Sequence, residues 1–210
     1  MKIKEHLKKH KMTPIWSPAN KYLFNRCSRT ASTVIHRQLQ DVHNPKKNDY
    51  DGWWNDITNK ELTEDYFIFV FVRNPFDRFV SAYEYLVRGG RNKFDKAWAD
   101  KFLAPYDSFK EFILALKEDD VQAEVLSWMH FKPQYIFVCD KEGRVVVDEI
   151  CKYERLIEDF ERVSRRLGLD AELTHENPSV RGDYRDYYDA QAIAVIRDVY
   201  AKDFELFDYS

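Results

Sequence analysis

The sequence predicts an α/β domain with a mainly parallel central sheet flanked by helices. Three observations carry that expectation. Tyr66-Phe-Ile-Phe-Val-Phe-Val72 is a continuous apolar run, rich in aromatic and β-branched residues, as in a strand buried on both faces. Tyr22-Leu-Phe24 is a shorter run of the same kind. Each run ends in a polar, cationic turn, and helix-forming sequence follows. Strands that alternate with helices in this way pack as a parallel sheet.

Taken in order, Lys21 to Ile35 reads as strand, tight loop and helix start. Asn25 to Thr33 is polar and holds two arginines and four hydroxyl side chains. The helix behind it is expected over roughly 32–40, with His36 as a packing or surface residue. Residues 41–65 carry Pro45, Gly52 and the pair Trp53-Trp54 and form an irregular, partly helical connection. A loop that long inside a compact domain is often functional. After Val72 the chain turns at Arg73-Asn74-Pro75. Proline suits the first position of a helix, and Phe76, Phe79, Val80 and Tyr83 then recur at helical spacing. Ser108-Phe-Lys-Glu111 is a capping-box pattern that opens a helix with Phe109, Phe112, Ile113 and Leu116 on one face. Val121 to Met129 is a further helix. Tyr135 to Cys139 and Val145 to Val147 are expected as short strands, joined by a turn at 141–144. Tyr153 to Leu167 is amphipathic and is stopped by Gly168. Residues 174–188 form a polar, aromatic loop, and Asp189 caps one final helix with Ile193, Ile196, Val199 and Tyr200 inward.

The 210 residues suffice for one sizeable core, and 44% hydrophobic with 33% charged residues is the balance of a soluble globular domain. With a net charge of −3, wholesale affinity for nucleic acid or for a membrane surface is not expected, and local basic patches remain open. Three scattered cysteines are too few for a disulfide framework or a zinc site, and a reducing compartment fits best. No apolar run approaches the roughly 20 residues of a membrane span. The basic N-terminal segment, 1–20, lacks the apolar stretch of a signal peptide. These features predict a cytoplasmic protein whose domain occupies 21–210.

Open α/β sheets bind ligands at the C-terminal ends of their strands, and both cationic turns fall there. The loop from Asn25 to Thr33 can aim N–H groups, hydroxyls and guanidinium groups at one anion, with a helix N-terminus behind it. A phosphate or sulfate group is the natural guest. In the second turn, Arg73 sits at the strand's end, and Arg78 and Ser81, three apart, share a helical face. A guanidinium and a hydroxyl near a helix start suit a phosphate. On residue types alone, pairing of Arg73 and Arg78 with surface carboxylates stands beside that reading.

Arg73-Asn-Pro-Phe-Asp-Arg78-Phe-Val-Ser81-Ala-Tyr83 resembles the 3′-phosphate-binding motif of sulfotransferases that use 3′-phosphoadenosine 5′-phosphosulfate (PAPS). Phe24 to Thr33 is similar to the 5′-phosphosulfate loop of that family, the uronyl 2-O-sulfotransferase branch above all. Weaker patterns of carbohydrate-type sulfotransferases resemble His130-x-x-Pro133-Gln134, Asp148-x-Ile-x-x-Tyr-Glu154-x-Leu, and Asn177-x-Ser179 followed by Tyr184 and Tyr188. The resemblance runs from about residue 21 to the end. It implies a single-domain, P-loop-like sulfotransferase fold, PAPS as donor with PAP as product, no required metal, and a hydroxylated acceptor such as a sugar or glycan.

The resemblance also implies roles. Arg26, Ser28, Arg29, Thr30, Ala31, Ser32 and Thr33 would hold the 5′-phosphosulfate. Arg73 and Ser81 would grip the 3′-phosphate, and the loop with Asn177, Ser179 and Tyr184 would lie over the nucleotide. The family loop usually has Pro-Lys where this chain has Ser28-Arg29. Arg29 would therefore stabilise the departing phosphate oxygen in place of lysine, with a planar fork and a high pKa that make it a poor proton donor. The acceptor's general base is open between His43, Asp51 and Asp56 in the long connection; His130 and His175 are open between cleft and structural roles. Trp53 and Trp54 are open between sugar stacking and core. Two other functions remain: a non-catalytic module that binds PAPS or PAP, and a P-loop nucleotide kinase. Against the kinase, the loop lacks Gly-x-x-x-x-Gly-Lys-Ser/Thr, and the strong strand ends in Arg73 where a magnesium-holding Asp belongs.

Overall fold

A computed structural model describes residues 14–17, 19–43, 66–169, 173 and 182–210. In chain order its elements are β1 (Ile15–Ser17), β2 (Tyr22–Asn25), α1 (Ser32–His43), β3 (Phe67–Val72), α2 (Pro75–Val87), α3 (Lys93–Phe102), α4 (Phe109–Ala115) and α5 (Asp119–Ser127). Then come β4 (Glu149–Lys152), α6 (Leu156–Leu167), α7 (Ala190–Val199) and α8 (Ala201–Phe207). The chain divides into two compact units, Met1–Val72 with Gln134–Glu176 and Arg73–Pro133 with Asn177–Ser210.

The first unit is α/β. Its sheet has the order β1-β2-β3-β4. β2, β3 and β4 are parallel, with Phe24 opposite Phe69 and Phe71 opposite Cys151, while β1 pairs antiparallel with β2 at the edge. Side chains alternate across a strand, so Tyr22, Phe24, Phe67, Phe69, Phe71 and Cys151 share one face. Ile35 and Leu39 of α1 and Phe160 and Val163 of α6 complete a buried cluster with them. Phe24 and Phe69 stack at 5.0 Å between centroids, and burial of each such ring stabilises by about 2–3 kcal/mol. At its entry, β3 is fastened on both sides. Phe67 N–H donates to the Lys21 carbonyl at 2.8 Å, and Ile68 N–H donates to the Asp148 carboxylate at 2.6 Å.

The second unit is helical. Phe79, Val80, Phe112, Phe131, Leu86 and Ile196 are buried in its core. Phe79 packs 4.7 Å from Phe131 and 5.8 Å from Phe112. Asn74 caps α2 by accepting from Phe76 N–H at 3.0 Å, and Pro75 takes the first helical position.

Several expected elements change. Tyr135 to Cys139 is not a strand: Gln134–Phe137 is a 3₁₀ turn, and Val138 N–H and Cys139 N–H bond back to the Tyr135 carbonyl. These local bonds satisfy the backbone, so only Cys139 and Val145 pair as an isolated bridge. The helix from Tyr153 opens as a 3₁₀ turn, Tyr153–Arg155, before α6. The final helix is two, broken at Tyr200, whose hydroxyl donates to the Phe131 carbonyl at 2.6 Å. β1, α3 and β4 are additional to the elements expected from the sequence.

Candidate functional site

In the first unit, the chain leaves β2 at Asn25, loops through 26–31 and enters α1 at Ser32. Arg29 and Ala31 have φ of +69° and +59°. Neither is glycine, so each left-handed residue costs about 1–2 kcal/mol of local strain. Left-handed residues in a turn gather successive N–H groups into a concave nest that suits an anion. The first bonds of α1 run from Val34 N–H and Ile35 N–H to the Ala31 carbonyl, at 2.9 and 3.1 Å. The N–H groups of Ser32 and Thr33 therefore lie ahead of the helical ladder, at the positive end of a twelve-residue helix with no acidic residue in its first turn. Thr30 is buried and donates its hydroxyl to the Cys27 carbonyl at 2.9 Å, so its side chain closes the loop on itself. Ser32 is buried; Arg26, Ser28, Arg29, Ala31 and Thr33 are half-buried. His36 follows one turn into α1. Burial, then the Arg26 charge, holds its imidazole down to about 4, so the ring is neutral at pH 7.

In the second unit, Arg73 is buried directly after the last residue of β3, and its Nε donates to Asp77 Oδ2 at 2.7 Å. The carboxylate orients the guanidinium from the first turn of α2. Arg78 is only 2% exposed, and its Nη2 donates to the Lys132 carbonyl at 2.8 Å. That bond fastens α2 to the segment before Pro133. Ser81 is buried on the same helix. Tyr184 is half-buried in a 3₁₀ turn, Tyr184–Tyr187, with the Arg185 guanidinium 4.8 Å from its ring. Tyr187 donates to Glu84 Oε1 at 3.0 Å, and Tyr188 to the Phe76 carbonyl at 2.9 Å, so this turn is also tied to α2. His130 is buried, with Nε2 3.2 Å from Asp95 Oδ1. Tyr85 and Asn92 bond the other oxygen of Asp95, at 2.6 and 2.8 Å. The Nε2 contact ties His130 to Asp95 of α3 within its unit.

Residues 14–210 of the chain match the Sulfotransferase family. The protein belongs to that family. It is 32% identical over 130 residues to an uncharacterized protein of Archaeoglobus fulgidus, an alignment covering 60% of this chain and 88% of the relative. It is 26% identical over 177 residues to carbohydrate sulfotransferase 11 of Rattus norvegicus, covering 70% of this chain and 48% of the relative, so it spans about half the length of that protein. No solved structure matches the chain. Family membership supports a sulfotransferase enzyme, and the α/β sheet of the first unit is consistent with the family's fold.

Not every predicted site residue of this sulfotransferase can be placed. His43 lies in α1, but its side chain, and all of Asp51, Asp56, Trp53, Trp54, His175, Asn177 and Ser179, fall outside the described residues. Other contributors were missed. Asn25 and Gln134 are fully buried against the loop's body, and Asp77 holds Arg73. Asn25 carried a signal: a polar residue closing a buried apolar strand needs a hydrogen-bonding partner. Among the described residues no group of His, Cys, Asp or Glu is placed to hold a metal ion, and no helix is long and apolar enough to cross a membrane.

Proposed function

We propose that this sulfotransferase moves a sulfuryl group from PAPS to an acceptor hydroxyl, with a sugar or glycan as the acceptor class. The observation that carries the reading is the 26–31 loop, which holds Arg29 and Ala31 left-handed immediately ahead of α1. A backbone kept in that shape at an energetic cost suits an anion guest. The donor supplies an activated sulfuryl group on a phosphate leaving group, and positioning plus charge stabilisation carry such transfers.

The N–H groups of the loop, the hydroxyls of Ser28, Ser32 and Thr33, and Arg26 bind the 5′-phosphosulfate. Thr30 and Ala31 contribute backbone. Arg29 would stabilise charge on the departing phosphate oxygen without giving a proton. Arg73, oriented by Asp77, and Ser81 bind the 3′-phosphate; Asn177, Ser179 and Tyr184 cover the nucleotide. His43 and Asp51 are the candidates to take the acceptor's proton. No metal is required, and the reaction is placed in the cytoplasm. A carbohydrate acceptor is supported by the similarity to carbohydrate sulfotransferase 11.

The test is transfer of labelled sulfate from PAPS to a panel of mono- and oligosaccharides, phenols and peptides, with nucleotide affinity measured alongside. Labelled sugar is the expected product. Tight PAPS binding with no transfer to any acceptor assigns a binding module instead, the reading that Ser28-Arg29 keeps open. Preference for magnesium-ATP over PAPS overturns the proposal. Arg73→Ala is expected to weaken PAP by about ten- to hundredfold, the loss of a charged hydrogen-bond donor, and to spare the 3′-dephospho analogue.

A further inference from the structure

We infer that Asn25 and Gln134 are positioning residues that hold the 26–31 loop in its anion-binding shape; the inference rests on the donor-loop reading above. No proline or glycine lies between Asn25 and Thr33, so nothing in the covalent chain presets φ there or eases the left-handed backbone of Arg29 and Ala31. The Thr30–Cys27 bond ties the loop only to itself. β2 ends with Asn25 opposite Val70, and the ladder gives no support beyond that point.

Outside support comes from a turn distant in sequence. Asn25 is fully buried, and its Nδ2 donates to the Phe137 carbonyl at 2.6 Å, across 112 residues of chain. Gln134 is also fully buried, and its Oε1 lies 4.0 Å from the Cys27 thiol, which is 3.8 Å from the Ser28 carbonyl. Both acceptors belong to the 3₁₀ turn Gln134–Phe137. Asn25 thus anchors one end of the loop, and Gln134 of the same four-residue turn lies against its first corner at Cys27. A loop strained by two left-handed residues keeps its N–H groups convergent only while something outside it opposes relaxation. Preorganised donors of this kind spare the ordering cost when an anion binds.

The test compares Asn25→Asp, which replaces the donor with an oxygen facing the Phe137 carbonyl, and Gln134→Met with the control Asp148→Asn. The control weakens the acceptor of Ile68 N–H at the opposite end of β3. Amide hydrogen exchange is followed without nucleotide, and PAP affinity by calorimetry. The expected result is exchange of the 26–34 amides about tenfold faster or more, with 67–72 unchanged, and PAP binding about tenfold weaker or more. The control lowers the melting temperature and speeds exchange at Ile68, and leaves 26–34 exchange and PAP affinity unchanged. If Asn25→Asp does not fold, Asn25→Ala takes its place. Loop exchange equal to wild type, or faster exchange in 67–72 and 26–34 alike with PAP affinity intact, overturns the inference. If the wild type does not bind PAP while the variants still loosen 26–34 selectively, the donor reading falls and the brace stands.

Discussion

Ala31→Gly tests the backbone geometry on which the donor loop depends. Ala31 has φ of +59° and is half-buried. A left-handed L-residue costs about 1–2 kcal/mol, and glycine removes that cost. Glycine also frees the unfolded chain, which costs about 0.5–1 kcal/mol. The steric gain is equal to or larger than the entropic cost, so the variant should be neutral or more stable by up to about 1.5 kcal/mol. For a chain of 210 residues, 1 kcal/mol moves the melting temperature by about 2–4 °C. Calorimetry without nucleotide should therefore show no fall and at most a few degrees of rise. Ala31→Val supplies the opposite sign, because a β-branched residue at positive φ is a severe outlier; it should lose about 2 kcal/mol or more. A clear fall for Ala31→Gly, or tolerance of valine, would mean that the backbone is not left-handed at Ala31, and the nest would lose its geometric basis.

Arg78→Met should destabilise by about 2–4 kcal/mol, from loss of a charged hydrogen bond and a misfit in the core, yet leave the preference for 3′-phosphorylated over dephospho nucleotide unchanged. A selective loss of PAP affinity would return Arg78 to the phosphate. Gly90→Ala should cost about 2 kcal/mol or more in urea denaturation, because φ is +64° and the added Cβ would meet Asp95 Cβ at 2.2 Å; a change within about 0.5 kcal/mol contradicts the packing around Asp95. His36 gives a pH dependence. Its folded value near 4 lies below the ordinary 6.5, so between those values the unfolded chain binds a proton that the folded chain does not. Stability should fall as pH drops through that window, by about 1–2 kcal/mol once the half-exposed ring is discounted for solvent. His36→Gln should flatten the slope, and an unchanged slope would assign it to other groups.

The parts of the fold legible in the sequence were those whose signal is local. β3 reads as a strand because both faces are buried and every residue from Phe67 to Val72 is apolar. α2 reads as a helix from Asn74 and Pro75. At α4 the capping box is half right: Ser108 accepts from Glu111 N–H at 3.2 Å, but the Glu111 carboxylate accepts from Asp107 N–H at 3.0 Å, one residue before the cap. β4, Glu149-Ile-Cys-Lys152, has two charges in four residues and becomes a strand only by pairing with β3. α3 has Phe94, Trp98 and Phe102 at helical spacing, and its start is marked by Asn92, whose side chain accepts from Phe94 and Asp95 N–H. At the site, the polar loop suits an anion, but nothing in the string of residues points from Asn25 to the Phe137 carbonyl. Contacts across 112 residues are made by tertiary packing and leave no local pattern.

Arg73 and Arg78 show what a motif records. They lie five residues apart, carry the same guanidinium, and are both buried. Arg73 bonds a carboxylate in the first turn of its own helix, which leaves it a charged group aimed by a neighbour and suited to a phosphate. Arg78 bonds the backbone of Lys132, 54 residues away, and so helps hold α2 in place within its unit. Burying an arginine carries a desolvation cost that an apolar side chain would avoid, so its value there is the directed reach of the guanidinium. A change at either position should weaken donor binding, through the ligand at Arg73 and through the helix at Arg78. Sequence resemblance registers the two losses alike. Only partner and nucleotide preference separate the residue that would touch phosphate from the residue that holds the helix in place.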